Sequence, residues 1–184
     1  MEFPIYIESG FRGRKAAYIK NPDKYTDAYH VDYRGGADMT VRRGGAQGPI
    51  VGRVDFHSFS SAIDISFENN QRVEMRKDGL FSKTRVVDLP AAPSSKRFSW
   101  KSTSFGGGPK MLDSSGQELA FFDRSRGVSK AGTLTLLVSG LEQQFMDQIF
   151  VSFMAVEEQL RRQRRAAAAG AAGGAAGGGG GGGC

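Results

Sequence analysis

Residues 134–165 restrict more than any other stretch what this chain can fold into. A β-like run, Leu134-Thr135-Leu136-Leu137-Val138, leads through Ser139-Gly140 into one long segment. Its middle, Phe145-Met146-Asp147-Gln148-Ile149-Phe150-Val151-Ser152-Phe153-Met154-Ala155-Val156, is apolar on every side of a helix. A surface helix needs only one apolar stripe, so a helix apolar all round has to be enclosed by protein or lipid. Lipid is the poorer host, because the apolar part falls short of the ~20 residues that span a bilayer and contains Asp147. Everything upstream must therefore supply a protein sheath.

The upstream sequence reads as short strands between turns. Ala17-Tyr18-Ile19-Lys20 stops at Asn21-Pro22, Tyr29-His30-Val31-Asp32-Tyr33 stops at Gly35-Gly36, and Met39-Thr40-Val41-Arg42 ends in a loose run from Gly44 to Pro49. Ile50 to Phe56 resumes the extended pattern. Ile63, Ile65 and Phe67 then alternate with Asp64, Ser66 and Glu68. Asn69-Asn70 turns the chain, and Val73 and Met75 alternate with Arg72, Glu74 and Arg76, so each strand has one dry and one wet face. Asp78-Gly79 signals another turn. Residues 80–89 continue as strand until Pro90-Ala91-Ala92-Pro93, and residues 97–102 follow. Lys110-Met111-Leu112 and Glu118-Leu119-Ala120-Phe121-Phe122 flank the turn Ser114-Ser115-Gly116. About ten strands and one helix result, and closing such a sheet removes the edges that an open one would have to protect.

Gly52-Arg53-Val54-Asp55-Phe56, Phe98-Ser99-Trp100, Leu112-Asp113-Ser114-Ser115-Gly116-Gln117-Glu118-Leu119-Ala120 and Met146-Asp147-Gln148-Ile149-Phe150-Val151-Ser152 occur in that order. In this order and spacing the chain resembles the tubby C-terminal-like superfamily, and is similar in particular to fungal members related to the LURP-one and phospholipid-scramblase domains. The resemblance covers residues 18–165. It implies a mainly β fold, a closed antiparallel barrel of twelve strands threaded by a hydrophobic C-terminal helix. It also points to a non-enzymatic module that binds an anionic membrane lipid such as a phosphoinositide, or another protein. The tubby head-group lysine and arginine motif, the scramblase cysteine cluster and a calcium loop have no residue-by-residue counterpart here. The rival fold, a pleckstrin-type sandwich, ends in an amphipathic helix, whereas Phe145, Ile149, Phe150, Val151, Phe153 and Met154 are spread round the circumference of this one.

Domain organisation follows: an N-terminal segment over residues 1–16, one domain over 17–165, and a disordered Ala/Gly tail over 166–184 ending in Cys184. The start Met1-Glu2-Phe3-Pro4-Ile5 lacks a secretory pattern, which predicts a cytoplasmic protein, peripheral at membranes if it meets them. One cysteine and two histidines cannot supply a usual zinc site, so neither metal nor cofactor is expected.

The formal charge is +6, but Arg161, Arg162, Arg164 and Arg165 carry four of those charges and leave +2 for the rest. That remainder disfavours nucleic acid as the partner, which a pI near 9.6 would otherwise suggest. Two basic groups are candidates for anionic lipid. One is Arg72, Arg76, Lys77, Lys83 and Arg85, which adjacent strands could gather into a patch, or which could be an ordinary solvated face interleaved with Glu74 and Asp78. The other is Arg161, Arg162, Arg164 and Arg165, which could bind a bilayer or simply complement the carbonyls at a helix end. Arg12, Arg14 and Lys15 read equally either way.

Cys184 ends a tether with a reach of ~25 Å, and it is either an acylation site beside a basic cluster or an unmodified thiol. No prenylation signal is present, since three residues would have to follow the cysteine. His57, in Asp55-Phe56-His57-Ser58-Phe59-Ser60-Ser61, invites a hydrolase reading but lacks a recognisable third orienting group or oxyanion site. It reads as structural, and no catalytic residue is assigned.

Overall fold

The computed structural model describes residues 1–10, 13–34, 38–57, 60–68, 70–79, 82–102, 107–125 and 129–174. In chain order the strands are β1 (Glu2–Gly10), β2 (Gly13–Lys20), β3 (Asp27–Arg34), β4 (Asp38–Arg43), β5 (Ile50–Phe56) and β6 (Ile63–Phe67). They continue with β7 (Arg72–Lys77), β8 (Thr84–Asp88), β9 (Arg97–Ser102), β10 (Pro109–Leu112), β11 (Glu118–Arg124) and β12 (Lys130–Leu136). Each pairs antiparallel with its neighbours in sequence, and β1 pairs with β12 to close a twelve-stranded barrel.

One helix, α1 (Gln143–Gly174), runs through it. Successive residues of a helix point 100° apart, so Phe150, Val151 and Phe153 face different walls. The Phe150 ring lies 4.9 Å from Phe3 of β1 and 4.4 Å from Tyr29 of β3. Phe153 packs against Trp100 of β9 at 5.6 Å and Phe122 of β11 at 5.0 Å. Val151 faces Gly52 of β5, where a Cβ would stand 2.6 Å from a Val151 methyl, so glycine sets how closely strand and helix approach. Ile149, Phe150, Val151, Phe153 and Ala155 are all 0% exposed. The enclosure that the all-round apolar pattern demands is thus met by the strands. No described helix is long and apolar enough to cross a membrane.

Three sequence expectations change. Residues 1–16 are not a segment ahead of the domain. They form β1 and half of β2, with Phe3 and Ile5 buried in the core, so the barrel would have an open seam without them. Pro4 disguises this strand in the sequence. The helix does not stop at residue 165 either. Ala166 to Ala169 are strong helix formers on an already nucleated helix, and the helical conformation persists to Gly174. The arginines are therefore interior to the helix, and the end-carbonyl explanation for them falls. Finally, β8 is shorter than the expected strand over 80–89 and starts at Thr84.

The barrel has two mouths. Where α1 enters, the start of β3, the end of β4, the β6–β7 turn and the connection from β8 to β9 surround it. Ala91 of that connection donates its backbone N–H to Gln148 Oε1 at 2.9 Å. Where α1 leaves, the β5–β6 and β7–β8 connections and the end of β11 surround it, and Gln159 donates to the Ser61 carbonyl at 3.4 Å.

Candidate functional site

The candidate site lies on the outer wall at the junction of β7, β8 and β9. On β7 the exposed residues Arg72, Glu74 and Arg76 alternate with core-facing Val73 and Met75, as the period-2 pattern predicts. Only two register pairs, Arg76↔Val86 and Lys77↔Arg85, join β7 to β8, the shortest ladder among the described strands. A recess of about 410 Å³ opens there, lined by Arg76, Lys77, Asp78, Val86, Arg97, Ser99 and the Asp113-Ser114 turn.

The cations of this recess keep hydrogen-bonding capacity. Arg76 Nε is 3.8 Å from Glu74, and Arg97 Nε is 3.8 Å from Asp88, both beyond hydrogen-bond reach, with side chains 65% and 69% exposed. Asp113 is committed elsewhere. Its Oδ1 accepts from the Ser115 hydroxyl at 2.7 Å and from the Ser115 and Gln117 backbone N–H groups at 2.8 and 2.9 Å. These bonds, led by that of the Ser115 side chain, hold its carboxyl below the usual aspartate range. Among the described residues, three cationic groups with unused donors and two hydroxyls suit an anion, outnumbering the Asp78 and Asp113 carboxylates of the lining.

The structure divides the predicted basic residues. Arg76 and Lys77 line the recess. Arg72 turns to the neighbouring recess of about 380 Å³, where it stands among Asp55, Asp64 and Glu74. Those three acids and Asp38 form one row in register across β4 to β7, Asp38↔Asp55↔Asp64↔Glu74. Burial, then the charge and hydrogen bond of Asp38, raise the Asp55 carboxyl above its ordinary value. Lys83 is exposed on the β7–β8 connection. Arg85 departs furthest from expectation: it is 4% exposed and alternates with buried Val87, so it points into the barrel rather than joining an outer patch.

The helix arginines are largely spent on two buried acids. Arg161 and Arg162 both bond Glu158, the latter at 2.9 Å. Arg164 and Arg124 bond Glu157 at 3.3 and 2.7 Å. Arg162 also covers the Phe56 ring at 4.0 Å. Burial pushes the Glu158 carboxyl up, but the hydrogen bonds and charges of Arg161 and Arg162 outweigh it and leave the group below its ordinary value. Arg165 is exposed, while Cys184 lies outside the described residues. His57 Nε2 is 3.0 Å from Asp64 Oδ2, and both side chains are about half exposed, so this histidine is paired with a member of the acidic row.

At the entry mouth a polar network escaped the sequence reading. Asp147, 4% exposed, accepts from the Tyr29 hydroxyl at 2.7 Å and from Gln143 at 2.9 Å, and it is bridged by Arg43 through two nitrogens. Burial, then the Asp147 charge, drive the Tyr29 hydroxyl far above its ordinary value. The bond to Asp147 raises Arg43 as well. Every charge there has its complement, and the network pins the helix to β3 and β4.

Arg97 is the recess residue that sequence reasoning missed. The signal was available in principle: Arg97 and Ser99 alternate with inward Phe98 and Trp100, and antiparallel order places β9 two strands from β7.

The chain belongs to DUF6593, a family of unknown function whose model matches residues 15–162. No curated protein and no solved structure matches it.

Proposed function

We propose that this DUF6593 protein is a non-enzymatic binding module that holds the head group of an anionic phospholipid, of the phosphoinositide class, in the β7–β9 recess. The observation that carries this reading is the convergence of Arg76, Lys77 and Arg97 on a recess of about 410 Å³, with neither arginine hydrogen-bonded to a carboxylate. That volume falls in the range of small-ligand sites. The resemblance to tubby-like and scramblase-like domains supports the same reading, which gives a peripheral protein lying on a membrane.

Co-sedimentation of the full chain with phosphatidylcholine vesicles, with and without phosphatidylinositol bisphosphate, tests it at low salt. The doped vesicles should pellet the protein, and Arg76→Glu with Arg97→Glu should weaken binding by at least ~10-fold, since each cation near an anionic surface contributes about 1 kcal/mol. A wild-type chain that stays in the supernatant with doped vesicles overturns the lipid assignment and leaves a protein partner as the reading to pursue.

A further inference from the structure

Among the described residues Arg85 is a buried cation with no carboxylate paired to it. Among the described residues its one hydrogen bond runs from Nη1 to the Ser61 carbonyl at 2.8 Å, and no ion pair reaches it. Its register partners offer no compensation, being Lys77 on β7, another cation, and Trp100 on β9. The nearby helix acids are already committed, Glu158 to Arg161 and Arg162, Glu157 to Arg124 and Arg164. Among the described residues, neither of these two helix carboxylates is paired with Arg85. Burial alone pulls the Arg85 guanidinium down to about 10, which still leaves it charged at neutral pH.

A charge in this position is expensive to keep unless something compensates it, and an apolar side chain of similar length would avoid the cost. Gln159, which shares the Ser61 carbonyl, has a buried Oε1 with no hydrogen-bond donor. The Gln159 amide N–H and the Arg85 guanidinium donate to the same carbonyl, which holds the two side chains side by side. We infer that Arg85 is a second anion site inside the exit mouth, taking a phosphate-type oxyanion, two of whose oxygens suit the unused guanidinium donors. It stands apart from the outer recess, from which the helix-facing side of β8 is separated by the barrel wall.

Trp100, the chain's single tryptophan and the register neighbour of Arg85, reports on this site by its fluorescence. Inorganic phosphate titrated into the full chain, against sodium chloride at equal ionic strength, should change Trp100 emission saturably. At a few times the dissociation constant it should raise Tm by about 2–4 °C. The emission change should persist in the Arg76→Glu, Arg97→Glu double variant, which isolates it from the outer recess. Arg85→Met should abolish both responses while unfolding, in chloride, at a temperature no lower than wild type. Glycerol phosphate and phosphatidic acid vesicles separate the sources: a response to the soluble ester assigns a free phosphate compound, and a response to vesicles alone assigns a lipid head group. A phosphate response that Arg85→Met retains overturns the inference, as does the absence of any saturable response in wild type. If Arg85→Met does not fold, the Arg85 Nε–Hε resonance of wild type decides instead: a saturable shift with phosphate supports the site, and a resonance that stays in place overturns it.

Discussion

The two mouths of the barrel handle buried charge in opposite ways. At the entry, one carboxylate, Asp147, is met by Tyr29, Gln143 and Arg43, so its local charge is balanced and its lone pairs are used. At the exit, Glu157 and Glu158 are crowded by arginines, and Arg85 is left with one carbonyl. A balanced buried pair registers the helix against the wall. A buried cation with no carboxylate costs stability, and at Arg85 it is the observation from which the second anion site is proposed. Burial of charge is therefore ambiguous by itself, and the number of partners decides between structure and binding.

The sharpest test of the balanced mouth is Asp147→Ala, which strands Arg43 and the Tyr29 hydroxyl. It should cost about 3–4 kcal/mol in a denaturant titration, reduced from the fully buried case because the Arg43 side chain is 37% exposed. At the exit, Glu158→Gln should cost about 2–3 kcal/mol at neutral pH. It should also alter the acid limb of the stability curve. The folded Glu158 carboxyl binds its proton less readily than the unfolded one, so its contribution is full above the unfolded value of ~4.3 and disappears as pH falls through the lower folded value. Wild type should thus lose stability over that window while Glu158→Gln follows a flatter Tm profile. Parallel curves would mean that Arg161 and Arg162 do not hold the carboxylate.

Gly52→Ala lies between the mouths and should separate packing from charge. A Cβ at 2.6 Å from Val151 forces the helix or β5 to shift, at about 1–3 kcal/mol, with no dependence on pH or phosphate. Tyr29→Phe, which keeps the ring on Phe150 and deletes the hydroxyl's bonds to Asp147 and from Gln143, should cost less, about 1.5 kcal/mol, by equilibrium unfolding. A larger loss for Tyr29→Phe than for Asp147→Ala would break the comparison, because the carboxylate would no longer be the centre of its network.

Much of the architecture was legible residue by residue. The apolar circumference of residues 145–156 demanded enclosure, and period-2 alternation such as Ile63-Asp64-Ile65 marked walls with one dry face. Glycine signalled turns where the backbone needed it, as at Gly116, whose φ is +86°. The recess was legible only in part. Arg76 and Lys77 were visible as a basic pair, but their partnership with Arg97 depends on which strands adjoin, and the two lie in segments separated by the Pro90 to Pro93 interruption. Arg85 was read on the wrong side of the wall. A strand of five residues carries too little alternation to tell inward from outward when its inward positions include a charge.

The sequence alone determined that one helix would be sheathed by strands, since hydrophobic periodicity is a local property and the cost of exposing such a helix leaves no other solution. Tertiary structure alone decided which cations are spent and which remain available. Ion pairing depends on distances between groups far apart in the chain, such as Arg124 and Glu157, and those distances exist only once β1 has closed on β12.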